Sequence, residues 1–101
     1  MGKYPWGVMG YANPGCKGII LWMDGGDGVS GCREAPTQAA SMEYGARVGT
    51  AIRTWDFLGL CSGINNGTRI DETHIIGNEG LGQRRCLDRS IMGYEIMRLE
   101  K

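Results

Sequence analysis

The residues able to do chemistry in this chain are few and scattered. The sole histidine, His74, closes the run Asp71-Glu72-Thr73-His74. On a strand, Glu72 and His74 share a face, because side chains alternate with period two. A carboxylate that orients an imidazole is the start of general-base chemistry. A thiol such as Cys61 brought beside it would make a nucleophile pair, but nothing in the sequence brings it there. The plainer reading is a solvated turn-and-strand segment. We therefore assign no catalytic residue and keep His74, Glu72 and Asp71 as acid–base candidates.

A second acidic group, Asp24-Gly25-Gly26-Asp27-Gly28, follows an apolar run. Calcium needs several oxygens from one loop, and no third acid stands in register here. Asp side chains that bond their own backbone explain the same residues as a turn. No Gly-Lys-Ser/Thr follows, so this is not a phosphate-cradling loop. No metal and no cofactor are expected. Asn66-Gly67-Thr68 fits a glycosylation acceptor, and its Asn-Gly pair is equally a hairpin-turn signal.

The cysteines are Cys16, Cys32, Cys61 and Cys86. An even count in a small chain permits a disulfide framework, with three pairings open. There is no C-x-x-C, so neither a zinc ribbon nor a thioredoxin-like motif is supported. The residues after Met1 do not form the apolar core of a signal peptide. The longest apolar run, Ile19 to Met23, is far short of the roughly 20 residues that span a bilayer. The expectation is a cytoplasmic chain with four free thiols behaving as small hydrophobes. The alternative is a secreted chain with paired cysteines.

Tyr4, Trp6, Tyr11 and Trp22 crowd the first quarter of the chain. Trp and Tyr are enriched at binding hot spots. Trp22 lies within the apolar run and belongs to the core. Trp6, between Pro5 and Gly7 on an edge-type strand, is the better surface candidate. Trp6, Tyr4 and Tyr11 are accordingly the binding candidates.

The elements that would position these residues are punctuated by glycine, 18 of 101 residues, where an ordinary domain carries roughly 7%. Glycine permits tight turns and close backbone approach at an entropic cost. A turn-dense sheet, cross-links or a partner surface has to offset that cost. The spacing predicts an irregular strand over 4–11, a turn at Asn13-Pro14-Gly15, a buried strand over 17–23 and a loop over 24–31. Ala39, Met42 and Ala46 recur at helical spacing behind Thr37, which predicts a helix over 37–48. Strands are expected within 50–60 and 73–77, and a polar loop over 78–85. Residues 90–99 fit either a strand or a helix. The predicted fold is α+β over a single domain, 1–101: a small antiparallel sheet with one helix packed on it. An all-β barrel or sandwich is the alternative, since turn signals recur about every ten residues.

Lys plus Arg is 11 and Asp plus Glu is 11, so the formal charge is zero. Nucleic-acid modules carry a basic excess, so nucleic acid is a disfavoured partner, and no membrane segment is visible. Zero charge removes self-repulsion and permits association with copies or partners. The first functional reading is a noncatalytic binding or assembly module acting through protein–protein contacts, such as a phage or mobile-element accessory protein or an oligomer subunit. The second is a secreted, disulfide-stapled carbohydrate-binding domain. The third is a small enzyme using His74 with a nearby acid or thiol.

Overall fold

Alternation organises the first strand. Along Pro5–Asn13 (β1), Trp6, Val8 and Gly10 are buried while Pro5, Gly7 and Met9 are half-buried. That period of two is what a sheet with one face on the core requires. β1 turns at 14–16 and pairs antiparallel with Lys17–Asp27 (β2). The chain continues through Gly31–Ala39 (β3), Ser41–Ala46 (β4), Thr50–Trp55 (β5), Ile75–Ile76 (β6), Arg85–Leu87 (β7) and Ile91–Arg98 (β8). The structure is a computed structural model that describes residues 5–47, 49–57, 59, 61, 75–76 and 84–98.

The strands form two antiparallel sheets, ordered β2-β1-β4-β7 and β3-β8-β5-β6. One core joins them: Trp6, Val8, Trp22, Met42, Tyr44 and Ala46 of the first sheet meet Ala35, Ala39, Ile52, Ile91, Tyr94 and Ile96 of the second. The short axis of 19 Å is what two layers occupy when sheets pack about 10 Å apart. Ile52, Ile91 and Ile96 are almost fully buried, and each such side chain contributes about 1.5–3 kcal/mol.

The architecture is therefore all-β, and the predicted α+β fold is overturned. No helix occurs among the described residues. The segment expected to be a helix over 37–48 is the end of β3 and the whole of β4. The spacing misled for a simple reason. Met42 and Ala46 are four apart, which places them on one face of a helix and equally on one face of a strand. Tyr44 completes the strand reading, because it is buried with them. Thr37 does not cap anything; its carbonyl accepts the Trp22 indole N–H at 2.9 Å. The loop expected over 24–31 shrinks to 28–30, with Gly28 and Gly31 at φ 81° and 73° where a side chain would be strained. Residues 91–98 are a strand, which decides the ambiguity over 90–99. The Asn65-Asn66-Gly67 turn lies outside the described residues.

The run over 17–23 is a strand but not a buried one. β2 ends its sheet, and Ile19, Ile20 and Met23 are 72%, 47% and 67% exposed. The cysteines also depart from expectation: all four are paired, Cys16 with Cys86 and Cys32 with Cys61. Their Cα atoms lie 5.9 Å and 5.4 Å apart, inside the range a disulfide spans. The first bridge ties the β1–β2 turn to β7, helped by the Gly15 N–H donating to Asp88 at 2.9 Å. The second ties β3 to Cys61 beyond β5, where the Gly59 and Cys61 N–H groups both donate to Glu34.

Each tryptophan of the chain faces a glycine across a ladder. Trp22 is opposite Gly10, Trp6 opposite Gly26 and Trp55 opposite Gly93. The indole occupies the space that the missing Cβ would need in all three pairs.

Two outcomes test this account. Reducing the bridges, or replacing Cys16 and Cys86 together by Ser, is expected to lower the unfolding free energy by about 2–4 kcal/mol, read by urea denaturation, because the 70-residue separation leaves much loop entropy to the open chain. Gly93→Ala is expected to cost at least about 2 kcal/mol, since the Trp55 ring has to move from a packed site. An unchanged urea midpoint would place that ring elsewhere.

Candidate functional site

The densest polar cluster sits where the two sheets meet at the β2 edge. Val8 and Asp24 are cross-strand partners on the inner face, two residues from Trp22. The Tyr94 ring of β8 stacks on Trp22 with centroids 5.6 Å apart, and its hydroxyl donates to Asp24 Oδ2 at 2.6 Å. Arg33 of β3 reaches the same oxygen with Nη1, also at 2.6 Å. Burial pushes the Asp24 carboxyl up. The Tyr94 hydroxyl, the Gly25 N–H and Arg33 outweigh that and hold it below its ordinary 3.8. The Tyr94 phenol is raised, first by burial and then by its bond to Asp24 and that carboxylate's charge, so it keeps its proton and stays a donor. Every partner here faces another member of the cluster. Its chemistry is that of a strut between sheets.

The outer face of the first sheet is different. Gly25 of β2, Gly7 of β1 and Gly45 of β4 are direct partners across three adjacent strands. The next row is Met23, Met9 and Glu43. Gly7, Gly45, Met9, Met23 and Glu43 line a depression of about 280 Å³ together with Trp6, Val8, Asp24 and Arg84. Its wall is two thioethers and a guanidinium, with Arg84 Nη1 at 3.8 Å from the Met9 sulfur. Glu43 stands on the rim and accepts from the Tyr11 hydroxyl at 2.8 Å. That bond is the main reason the Tyr11 phenol is raised, with burial and the Glu43 charge adding to it and Arg84 opposing.

Of the binding candidates, Trp6 is among the residues lining this depression, and Tyr11 is linked to it through its bond to Glu43. Trp6 is 4% exposed, its ring lying on Gly26 in the core. Its flanking Pro5 and Gly7 suggested a surface, but the pleat turns Trp6 inward with Val8. Its N–H finds no acceptor among the described residues. Tyr4, Asp71, Glu72 and His74 lie outside the described residues. No thiol nucleophile is available to His74, because all four cysteines are in disulfides. Among the described residues, no group of acids, cysteines or histidines is placed to hold a metal ion. The glycine row was missed because its members are 18 and 38 positions from Gly7 in the sequence, so only strand register aligns them.

Tyr94→Phe keeps the ring stack and removes the donor to Asp24. It is expected to cost about 1–2 kcal/mol at neutral pH in urea unfolding. Asp24 has a folded pKa below its unfolded one, so its contribution is complete above 3.8 and is lost as pH falls through the lower folded value. The gap between wild type and Tyr94→Phe should therefore shrink in acid. A constant gap down to about pH 2 would remove Asp24 from the explanation. No family model, no curated protein and no solved structure matches this chain.

Proposed function

We propose that the protein is a noncatalytic assembly module that acts through protein–protein contacts at the outer edge of β2, which no described strand pairs. The observation that carries this reading is the exposed apolar side of an edge strand. Unpaired edges template pairing with another strand, and folded proteins ordinarily blunt them with charge, proline or cover. Along β2, Ile19, Ile20 and Met23 are exposed instead.

A second copy of the chain is the occupant that this reading names, since a chain of zero net charge brings no bulk repulsion to association with its copies. The paired cysteines support an oxidising compartment as the place of action, in preference to the cytoplasm. The secreted carbohydrate-binding alternative rested on the even cysteines, the glycine loops and the aromatics; its disulfides are present, but Trp6, its surface candidate, is buried.

Native mass spectrometry and light scattering test the reading. Wild type is expected at twice the 11.0 kDa chain mass. Ile19→Lys, at a position 72% exposed, is expected to give monomer with an unchanged unfolding midpoint. Wild type that stays monomeric at every concentration overturns the assembly reading.

A further inference from the structure

The first sheet ends on a strand that is short and covalently tied to a turn at the far end of β1. β7 has three residues, whereas β1, β2 and β4 have nine, eleven and six. Arg85 and Cys86 are exposed, and Leu87 is half-buried against the core. No described strand pairs the outer side of β7. So short a ladder at an edge, with little apolar burial, opens locally at small cost. Here the Cys16–Cys86 bridge holds it.

The two halves of that bridge are built differently. Cys16 stands on a fixed support. Its N–H donates to Ser41 Oγ at 2.8 Å, and that hydroxyl donates to the Asn13 carbonyl at 2.7 Å. Ser41 is fully buried at the start of β4. Among the described residues, Cys16 is also the one non-glycine with positive φ, 57°, a backbone conformation costly for a side chain. Cys86 has no such support. It lies mid-strand on the surface, and the next fully buried residue is Ile91. The Gly15 N–H also donates to Asp88, but that bond is exposed, and water competes for both partners.

We propose that the Cys16–Cys86 disulfide is a redox latch: reduction by a dithiol frees β7 and uncovers the edge of β4. One thiolate of the dithiol attacks the exposed Cys86, the S–S bond breaks, and Cys16 leaves as a thiolate that takes up a proton. The second thiol of the dithiol then displaces Cys86 from the mixed disulfide. Two electrons pass to the bridge, which ends as two thiols, and the dithiol ends as a disulfide. Once released, Cys16 is free to leave its left-handed conformation. The other bridge lacks this consequence. When Cys32–Cys61 opens, β3 is still paired with β8 over Gly31–Glu34. The edge uncovered by β7 is that of Met42, Glu43 and Tyr44, and Met42 and Tyr44 are core residues. The latch lies at the opposite end of the sheet from β2, so it stands or falls separately from the assembly reading.

Hydrogen exchange read by NMR tests the latch in the Cys32→Ser/Cys61→Ser chain, where Cys16–Cys86 is the one bridge left. Oxidised, its β4 amides bonded to β7 are expected to stay protected. With dithiothreitol they are expected to exchange at least about tenfold faster, while the amides of β5 and β8 keep their protection. The Cys16→Ser/Cys86→Ser chain is the second variant. It is expected to show the same fast β4 amides without reductant, and dithiothreitol is expected to leave them unchanged. Protected β4 amides in either opened chain overturn the proposal. So does loss of protection across all strands together, which is global unfolding. Fast β4 amides in the oxidised chain that keeps the bridge overturn it as well.

Discussion

Tyr94 is the residue on which the two sheets depend. Its ring lies against Trp22 and its hydroxyl is bonded to Asp24, two residues along the same strand. One side chain of the second sheet thus fixes both the apolar and the polar half of the contact with the first. The consequences spread outward. Trp22 can lie flat under Tyr94 only because Gly10 leaves room behind it. Its N–H is taken by the Thr37 carbonyl, which holds β3 at the edge of the core. Asp24, desolvated by this packing, is kept ionised by Tyr94, the Gly25 amide and Arg33. The Arg33 pair is partly exposed, at 44% and 28% for its two side chains, and such pairs contribute about 0–1 kcal/mol. The Tyr94 hydroxyl bond and the ring stack hold the sheets together more strongly than that ion pair does.

The high glycine content becomes intelligible on this frame. Some glycines serve turns, as at Gly28 and Gly31. Others are seats for indoles, as at Gly10, Gly26 and Gly93. In these pairs a large ring covers backbone that a glycine would leave bare, so the packing lost at one position is regained from its cross-strand partner. The remaining entropic cost falls on the two disulfides, which restrict the open chain over separations of 70 and 29 residues. Gly7, Gly25 and Gly45 are direct partners across three adjacent strands on the outer face.

The first sheet carries two features of different kinds. Its edge strand exposes Ile19, Ile20 and Met23, and its outer face holds the depression lined by Gly7, Gly45, Met9, Met23 and Arg84.

By itself the sequence determined the small single-chain scale, the zero charge, the turn-rich punctuation and the presence of strands around 17–23 and within 50–60, and it left 90–99 open between strand and helix. It also placed Trp22 in the core, since an indole inside an apolar run has nowhere better to go. It pointed to a helix over 37–48 where the structure has strands, because a spacing of four satisfies both periods. It left the thiols open, because pairing depends on which cysteines the fold brings within bridging distance. Trp6 was misplaced for a related reason: its neighbours suggest an edge, but the phase of the pleat, set by Val8 and the opposite sheet, turns it inward. The outer-face glycine row was illegible for the deepest reason of all. Residues 7, 25 and 45 become neighbours only through strand register, and register is chosen by long-range packing of the buried face rather than by any local preference of the residues that form the row.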